Sequence, residues 1–320
     1  MQKKATTSFI CTVLDEEKSI TDLLESLKIQ TVKANEIIFV DGGSHDKTPE
    51  LLKDSSLKHK FFKEKGNRAI GRNFGIEKAD GDIILVTDAG CMLDKNWVKN
   101  ITEPFGKETV DVAAGFYTPI TKNIFQKCLA TYTSVMADRV DPKNFLPSSR
   151  SVAFRKSAWK KVNGYPQYLD TCEDLVFAKK LKEHGCKFVF VKEAIVHWPQ
   201  RKNILEAFVQ FFQYAKGDGK ARYFRAQTPF LFFRDIGAIV IFCAAFITKS
   251  KELAGITLIL FFLYVLWSIS KNYRYIKNPQ AFIYLPFLQI ASDIAVGIGM
   301  TIGLLQSLFI SHRTNKNPTE

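Results

Sequence analysis

GNRAIGRNFGIEKADGDIILVTDAGC, residues 66–91, reads as a helix over 66–79 and a strand over 82–87 that ends at Asp88-Ala89-Gly90-Cys91. The same grammar runs upstream. Residues 7–14 form a β-rich apolar run, followed by Ile20, Leu23, Leu24 and Leu27 at helical spacing. Residues 36–40, EIIFV, form a second strand that ends in Asp41-Gly42-Gly43-Ser44, and Ser44 or Asp46 then caps a helix over 48–52. Strands alternating with helices predict βαβ units, hence an α/β fold with a mostly parallel sheet. Ligands of such sheets sit beyond the carboxyl ends of the strands. Three strands here end at an aspartate: Asp15, Asp41 and Asp88. Aspartates start turns and cap helices, but three of them, one followed by Gly-Gly-Ser, exceed what capping needs. No GxGxxG follows the first strand and no GxxxxGK[ST] occurs, which argues against a nicotinamide fold and a P-loop ATPase.

The remainder of the 320 residues divides by composition. With 46% hydrophobic and 24% charged residues, the chain is an ordinary folded protein rather than a disordered or disulfide-scaffold one. Residues 1–228 read as a soluble domain. From 229 onward, apolar runs alternate with short basic islands, giving two to three expected membrane helices over 229–320. The run 236–248 is short for a span, 253–269 is clearer, and 282–310 is long but carries Pro286 and Asp293. Arg222, Arg225 and Arg234 precede the first run, and Lys271, Arg274 and Lys277 follow the second. The positive-inside rule therefore places the soluble domain and the 271–280 loop in the cytoplasm, at a plasma membrane. The basic tail, with Arg313 and Lys316, conflicts with a third crossing, so that segment either re-enters or is an exception. The net charge of +13 fits anionic lipid and phosphate, and no aromatic-basic pattern of a nucleic-acid module is present. Cys11, Cys91, Cys128, Cys172, Cys186 and Cys243 form no CxxC pair and read as small buried hydrophobes in a reducing compartment.

Six stretches in order resemble an inverting family 2 glycosyltransferase of GT-A fold. They are VLDEEKSI with LESLKIQT, IIFVDGGSHDKT, residues 66–91, SSRSVAFRKSAW, GYPQYLDTCEDLVFAKKLKEHG and FVFVKEAIVHW. The resemblance covers residues 7–215 and implies a nucleotide-sugar donor site in the first half and an acceptor site in the second. It implies that Asp15 and Glu16 contact the nucleoside, that Asp41 holds the base or ribose, and that Arg68, Arg72 and Asn73 lie along the diphosphate and sugar. A planar guanidinium suits bidentate phosphate contact, and Arg68 and Arg72, four apart, share a helix face. Asp88 stands where the family has its metal-binding Asp-x-Asp, but Gly90 replaces the second aspartate. Asp88, with His197 as the best additional ligand, is expected to hold Mg²⁺ or Mn²⁺. Glu173-Asp174 matches the family's acidic pair, with Asp174 as base and Glu173 in support. Residues 203–228 resemble the amphipathic interface helix of relatives, with Leu205, Phe208, Phe211 and Phe212 as its apolar face.

The expected function is transfer of a sugar, from a donor expected to be UDP-linked, onto a lipid-linked or membrane-proximal acceptor in glycolipid or cell-surface polysaccharide synthesis. Two other readings compete: a nucleotide-sugar-binding membrane scaffold, motivated by Gly90, and a processive synthase, opposed by the absence of QxxRW.

Overall fold

The computed structural model describes residues 5–107 and 109–314. In chain order the elements are β1 (Thr7–Val13), α1 (Ile20–Lys28), β2 (Glu36–Asp41), α2 (Thr48–Lys53), β3 (Lys60–Lys63), α3 (Arg68–Lys78) and β4 (Ile83–Val86). There follow β5 (Met92–Leu93), α4 (Trp97–Thr102), β6 (Val112–Ile120), α5 (Ile124–Thr133), β7 (Val152–Arg155), α6 (Lys156–Lys161), α7 (Glu173–Glu183) and β8 (Phe188–Pro199). The chain ends in α8 (Ile204–Lys220), α9 (Thr228–Thr248), α10 (Lys251–Ile276) and α11 (Ala281–Thr314). Two compact units result, one comprising the chain up to Ile120 with Ser134–Pro199, the other Thr121–Thr133 with everything from Gln200. The boundary expected at 228 thus falls inside the second unit, because α5 and α8 pack with the C-terminal helices.

The first unit is built on one eight-stranded sheet in the order β3-β2-β1-β4-β7-β6-β8-β5. β3, β2, β1 and β4 are parallel, as are β6 and β8, whereas β7 runs antiparallel to both its neighbours and β5 to β8. The sheet is therefore mixed. Its parallel half is the part legible in the βα alternation. Along β1, Phe9, Cys11 and Val13 enter one core layer and Ile10 the other, so both faces are covered. Each fully buried Phe or Ile is worth roughly 1.5–3 kcal/mol relative to exposure.

One close approach positions the site. A Cβ on Gly71 would lie 2.8 Å from Thr12 Cγ2, and one on Gly75 2.9 Å from Ile10 Cγ2. Glycines one turn apart in GRNFG thus let α3 settle directly on β1. That fixes the height of Arg68 and Arg72 above the sheet edge.

In the second unit, Cys128, Leu129, Ala207, Phe211, Leu285 and Leu288 share a core. Phe211 turns into this core, whereas Leu205 is 71% exposed, so the four residues expected to form one apolar face of α8 do not all share an environment. Among the described residues, three helices, α9, α10 and Ala281–Phe309 of α11, are long and apolar enough to cross a membrane. Lys316 and the side chain of Arg313, invoked for the basic tail, lie outside the described residues.

Candidate active site

The parallel register Val13↔Asp41 and the pairing of β1 with β4 bring the ends of β1, β2 and β4 to one edge. Asp15, Asp41 and Asp88 follow or end these strands. Asp15 is a non-glycine residue at φ +52°, which it holds by accepting a hydrogen bond from His45 N (2.7 Å) and donating its own N–H to Ser44 Oγ (3.0 Å). Asp41 is only 1% exposed, and its Oδ1 accepts from Ser44 N (3.0 Å) and Ser44 Oγ (2.6 Å). It organises the Gly43-Ser44 turn rather than presenting a carboxylate to the crevice, and Gly43 supplies the φ of +108° which that turn needs.

The centre of the site is a buried chain of charge. Arg72 is 1% exposed; its Nη2 donates to Asp88 Oδ1 and its Nη1 to Glu173 Oε1, both at 2.7 Å. Its Nε has no hydrogen-bond partner among the described residues. Arg68, one turn earlier on α3 and half-exposed, places Nε 3.9 Å from the same Glu173 oxygen. The expected shared face of the two arginines is what joins α3 to the acidic pair. Burial works against the charge of Arg72, but Asp88 and Glu173 more than restore it, so the guanidinium stays firmly protonated. The two carboxylates respond oppositely. Burial pushes Asp88 up, yet Arg72, Arg150 and Arg68 outweigh it and hold the group below the usual carboxylate range. For Glu173, only 3% exposed, burial wins over Arg72 and the carboxyl is raised.

Asp174, next along α7, is half-buried, and its Oδ2 accepts from Ser149 N (3.2 Å) while Oδ1 accepts from Leu175 N (2.8 Å). It therefore faces the segment leading into β7. That segment carries a residue that had been given no role from sequence, Arg150. Its Cζ lies 3.9 Å from the Trp198 ring centroid and 5.2 Å from that of Tyr117, and its Nε 3.9 Å from Asp88 Oδ2. It lies within SSRSVAFRKSAW, but its placement depends on aromatic residues from β6 and β8 that no local pattern reveals.

Asn73, expected along the diphosphate, is turned away from the crevice. Its Oδ1 accepts from Trp159 Nε1 (3.0 Å) and Tyr165 N (2.9 Å), and its Nδ2 donates to Tyr165 O (2.8 Å). One residue along a helix rotates the side chain by about 100°, so the neighbour of a site arginine becomes a core clamp.

Among the described residues, no group of three or more His, Cys, Asp or Glu side chains is close enough to hold a metal. His197 pairs in register with Met92, beside the segment following Asp88, and its Nδ1 lies 2.8 Å from Thr118 Oγ1. A Cβ on Gly90 would lie 3.8 Å from Glu16 Oε2. Glu16 thus reaches into the space that the missing second aspartate would fill. Its backbone is pinned by Thr48 Oγ1 (2.7 Å) and its carboxylate by the Ser19 hydroxyl. The carboxylates of Asp88 and Glu16 suit a cation that takes its remaining oxygens from a bound diphosphate and water, not a closed protein cage. Burial, reinforced by Asp88, raises the thiols of Cys11 and Cys91, which lie beneath these acids and stay unreactive.

This arrangement is that of a GT-A type glycosyltransferase domain. The chain carries a glycosyl transferase family 2 domain, the family model matching residues 8–162. It is 24% identical over 209 residues to the O-antigen chain rhamnosyltransferase RfbN of Salmonella typhimurium, a match that covers 60% of this chain and 65% of that protein. It is 34% identical over 106 residues to a dolichyl N-acetyl-alpha-D-glucosaminyl phosphate 3-beta-D-2,3-diacetamido-2,3-dideoxy-beta-D-glucuronosyltransferase of Methanococcus voltae, which covers 31% of this chain and 33% of that one. Most of the second relative and about a third of the first therefore lie outside the match. Among solved structures, the mannosyltransferase PcManGT of Pyrobaculum calidifontis, in complex with GDP-Man and Mn²⁺, superposes with a TM-score of 0.61 at 15% identity and covers 91% of this chain and 88% of its own. S. aureus TarS 1–349 does so with a TM-score of 0.52 at 14% identity, covering 98% and 93%.

Proposed function

We propose that this protein is a membrane-anchored glycosyltransferase, with its first unit in the cytoplasm, that moves a sugar from a nucleotide-sugar to a lipid-linked or membrane-proximal acceptor with inversion. The observation that carries the proposal is the buried Asp88–Arg72–Glu173 chain, which ties the donor edge of the sheet to the N-terminus of α7, where Asp174 stands. In this reading the acceptor hydroxyl oxygen attacks the anomeric carbon. Asp174 takes the hydroxyl proton as the new C–O bond forms, and the bond to the diphosphate breaks with its electron pair leaving on the nucleoside diphosphate. Glu173 keeps Arg72 in place. Arg68 and Arg150, the less buried cations, face the charge that develops on the leaving group. A divalent cation, Mg²⁺ or Mn²⁺, held by Asp88 and Glu16, would neutralise part of that charge. The backbone of the Asp41–Ser44 turn and of Asp15 forms the nucleoside side of the crevice.

The PcManGT complex with GDP-Man and Mn²⁺ and the TarS complexes with UDP and UDP-GlcNAc support a nucleotide-sugar donor without choosing the nucleotide. The relatives' glycan-building names support a role in cell-surface polysaccharide or glycolipid synthesis. The test is nucleotide release by the full chain in nanodiscs from UDP-, GDP- and TDP-sugars, with Mn²⁺, Mg²⁺ or chelator. Release from one donor, lost in Asp88→Ala and Asp174→Asn, is the expected result. Donor binding with no turnover for any acceptor tried, and with Asp174→Asn indistinguishable from the parent, would leave a scaffold instead.

A further inference from the structure

Of the three apolar helices, α11 is unlike the others. The most apolar windows of α9 and α10 are 0% and 6% buried, with mean hydropathy 2.2 in each, whereas that of α11 is 39% buried with mean hydropathy 1.6. What covers α11 is α8. A Cβ on Gly299 would lie 2.5 Å from Phe212 O, one on Gly303 2.1 Å from Lys216 O, and one on Gly219 2.4 Å from Met300 O. Arg222 Nε then donates to Ser307 Oγ at 3.1 Å. Each step of about four residues along α11 is matched by about four along α8. The two helices therefore run parallel, backbone against backbone, with no room to slide. α8 carries Glu206, Gln210, Gln213, Lys216, Asp218 and Lys220 over about 21 Å of its length. If α11 stood across a bilayer, α8 would stand beside it and carry those groups through the hydrocarbon.

The exposed apolar residues of α11 fit a different placement. Ile283, Phe287, Ile294, Ile298, Leu305, Leu308 and Phe309 are exposed and, at 100° per residue, fall within an arc of about 100°, with exposed Phe282 outside it. The opposite arc, with Leu285, Leu288, Ala295, Gly299 and Gly303, meets protein. α8 adds exposed Leu205 and Val209, with Gln213 and Glu206 exposed beside them. Where α11 meets the hairpin of α9 and α10, polar groups gather. Arg234 and Tyr264 contact Asp293 at 2.5 and 2.7 Å, Gln289 donates to Asp293 at 2.8 Å, and Lys271 donates to Gln289 at 2.7 Å. Arg234 is the seventh residue of α9 and Tyr264 the fourteenth of α10, so this belt lies about 20 Å along the hairpin from its Lys249–Ser250 turn.

We propose that α11 does not cross the membrane. With α8 it lies along the cytoplasmic membrane–water interface, its 283–309 stripe against the acyl chains of anionic lipid and Lys216, Lys220 and Arg222 at headgroup level. Among the described residues, the α9–α10 hairpin is then the membrane-crossing element. The tail after α11 is then on the side of the catalytic unit, which is also where the positive-inside rule puts its basic residues.

Two measurements on the full chain test this. In vesicles of anionic and zwitterionic brominated lipids, the added quenching of Phe287→Trp, Ile298→Trp and Phe309→Trp over the parent reports depth. An interfacial α11 gives the three positions equal quenching, strongest with bromines near the headgroups. Positions 287 and 309 are about 33 Å apart along the helix, close to the full hydrocarbon thickness of about 30 Å. A crossing helix therefore gives deep quenching at 298 and shallow quenching at both others, and that pattern would overturn the proposal. In sided vesicles, the expected pattern puts a C-terminal tag and Asn278→Cys on one face and Lys251→Cys on the other. A tag on the face of Lys251→Cys, or Lys251→Cys on the face of Asn278→Cys, also overturns it. Neither readout depends on transfer activity.

Discussion

Replacing Arg72 by Met removes the cation hydrogen-bonded to Glu173 at 2.7 Å and leaves that carboxylate 3% exposed, with Arg68 Nε 3.9 Å away and half in solvent. The cheapest escape for the buried acid is protonation. From an ordinary Glu value near 4.3, holding the proton at pH 7 costs about 2.7 pH units, or about 3.7 kcal/mol. This lies inside the 3–5 kcal/mol typical of breaking a buried ion pair from one side. For a unit of this size the loss corresponds to roughly 8–15 °C in Tm. The assay is thermal unfolding of the full chain in detergent, followed by tryptophan fluorescence. The pH dependence supplies the sign. A carboxyl raised in the folded state binds more protons than in the unfolded one, so the stability of Arg72→Met rises as pH falls from 7.5 toward 5. The double variant Arg72→Met/Glu173→Gln carries no buried charge at that position and should recover most of the loss. A Tm of Arg72→Met within 2 °C of the parent, or a double variant no better than the single, would refute the idea that Arg72 is held chiefly as counter-ion to Glu173.

Glu173→Gln alone should cost no more than about 1 kcal/mol, because burial already penalises its charge and Asp88 remains on Arg72; chemical denaturation checks it. Asp88 has the opposite sign: its depressed carboxyl contributes stability above the usual Asp value near 3.9 that is lost as pH falls through its lower folded value, so Asp88→Asn should flatten the acid limb of Tm against pH. Asp174→Asn should lower kcat by on the order of 10²–10⁴ with donor affinity unchanged, read by turnover and calorimetry. Glu16→Gln should weaken Mn²⁺-dependent donor binding by on the order of tenfold, about 1.4 kcal/mol, while leaving metal-free nucleotide binding intact.

The readable parts of the fold were those where one residue type does one local job. Aspartates at the ends of β1, β2 and β4 follow from strand pattern alone, and parallel pairing then converges them. Arg68 and Arg72 follow from a four-residue step. What stayed hidden depends on long-range packing. β7 enters antiparallel between β4 and β6, so the sheet is mixed, and nothing within VAFR distinguishes that direction. Asn73 is one position from Arg72 yet belongs to the core, because Trp159 and Tyr165 arrive from 86 and 92 residues away to take its amide. Asp41 reads like Asp88 in sequence, but only packing shows that it is spent on a turn.

Glycine at 90 acquires a meaning in this setting that it lacks as a departure from a motif. Three guanidinium groups, Arg68, Arg72 and Arg150, already lie near Asp88 or Glu173, and Arg72 takes Asp88 in a direct ion pair. A second aspartate at 90 would bring a like charge beside Glu16, whose Oε2 lies 3.8 Å from where its Cβ would stand. Two like charges that close must either share a cation tightly or protonate one member. With glycine there, Glu16 occupies the space alone, tethered to Ser19 and α1 rather than to the loop after β4. The acidic charge that relatives with Asp-x-Asp place on one loop is then divided between two, so the binding of a cation–diphosphate pair would fix the ends of β1 and β4 together. Gly90→Asp should accordingly weaken donor binding in the parent. In the Glu16→Gln background, where the repulsion is gone, it should restore binding. If Gly90→Asp is neutral in the parent and gives nothing back to Glu16→Gln, the two positions do not share a role.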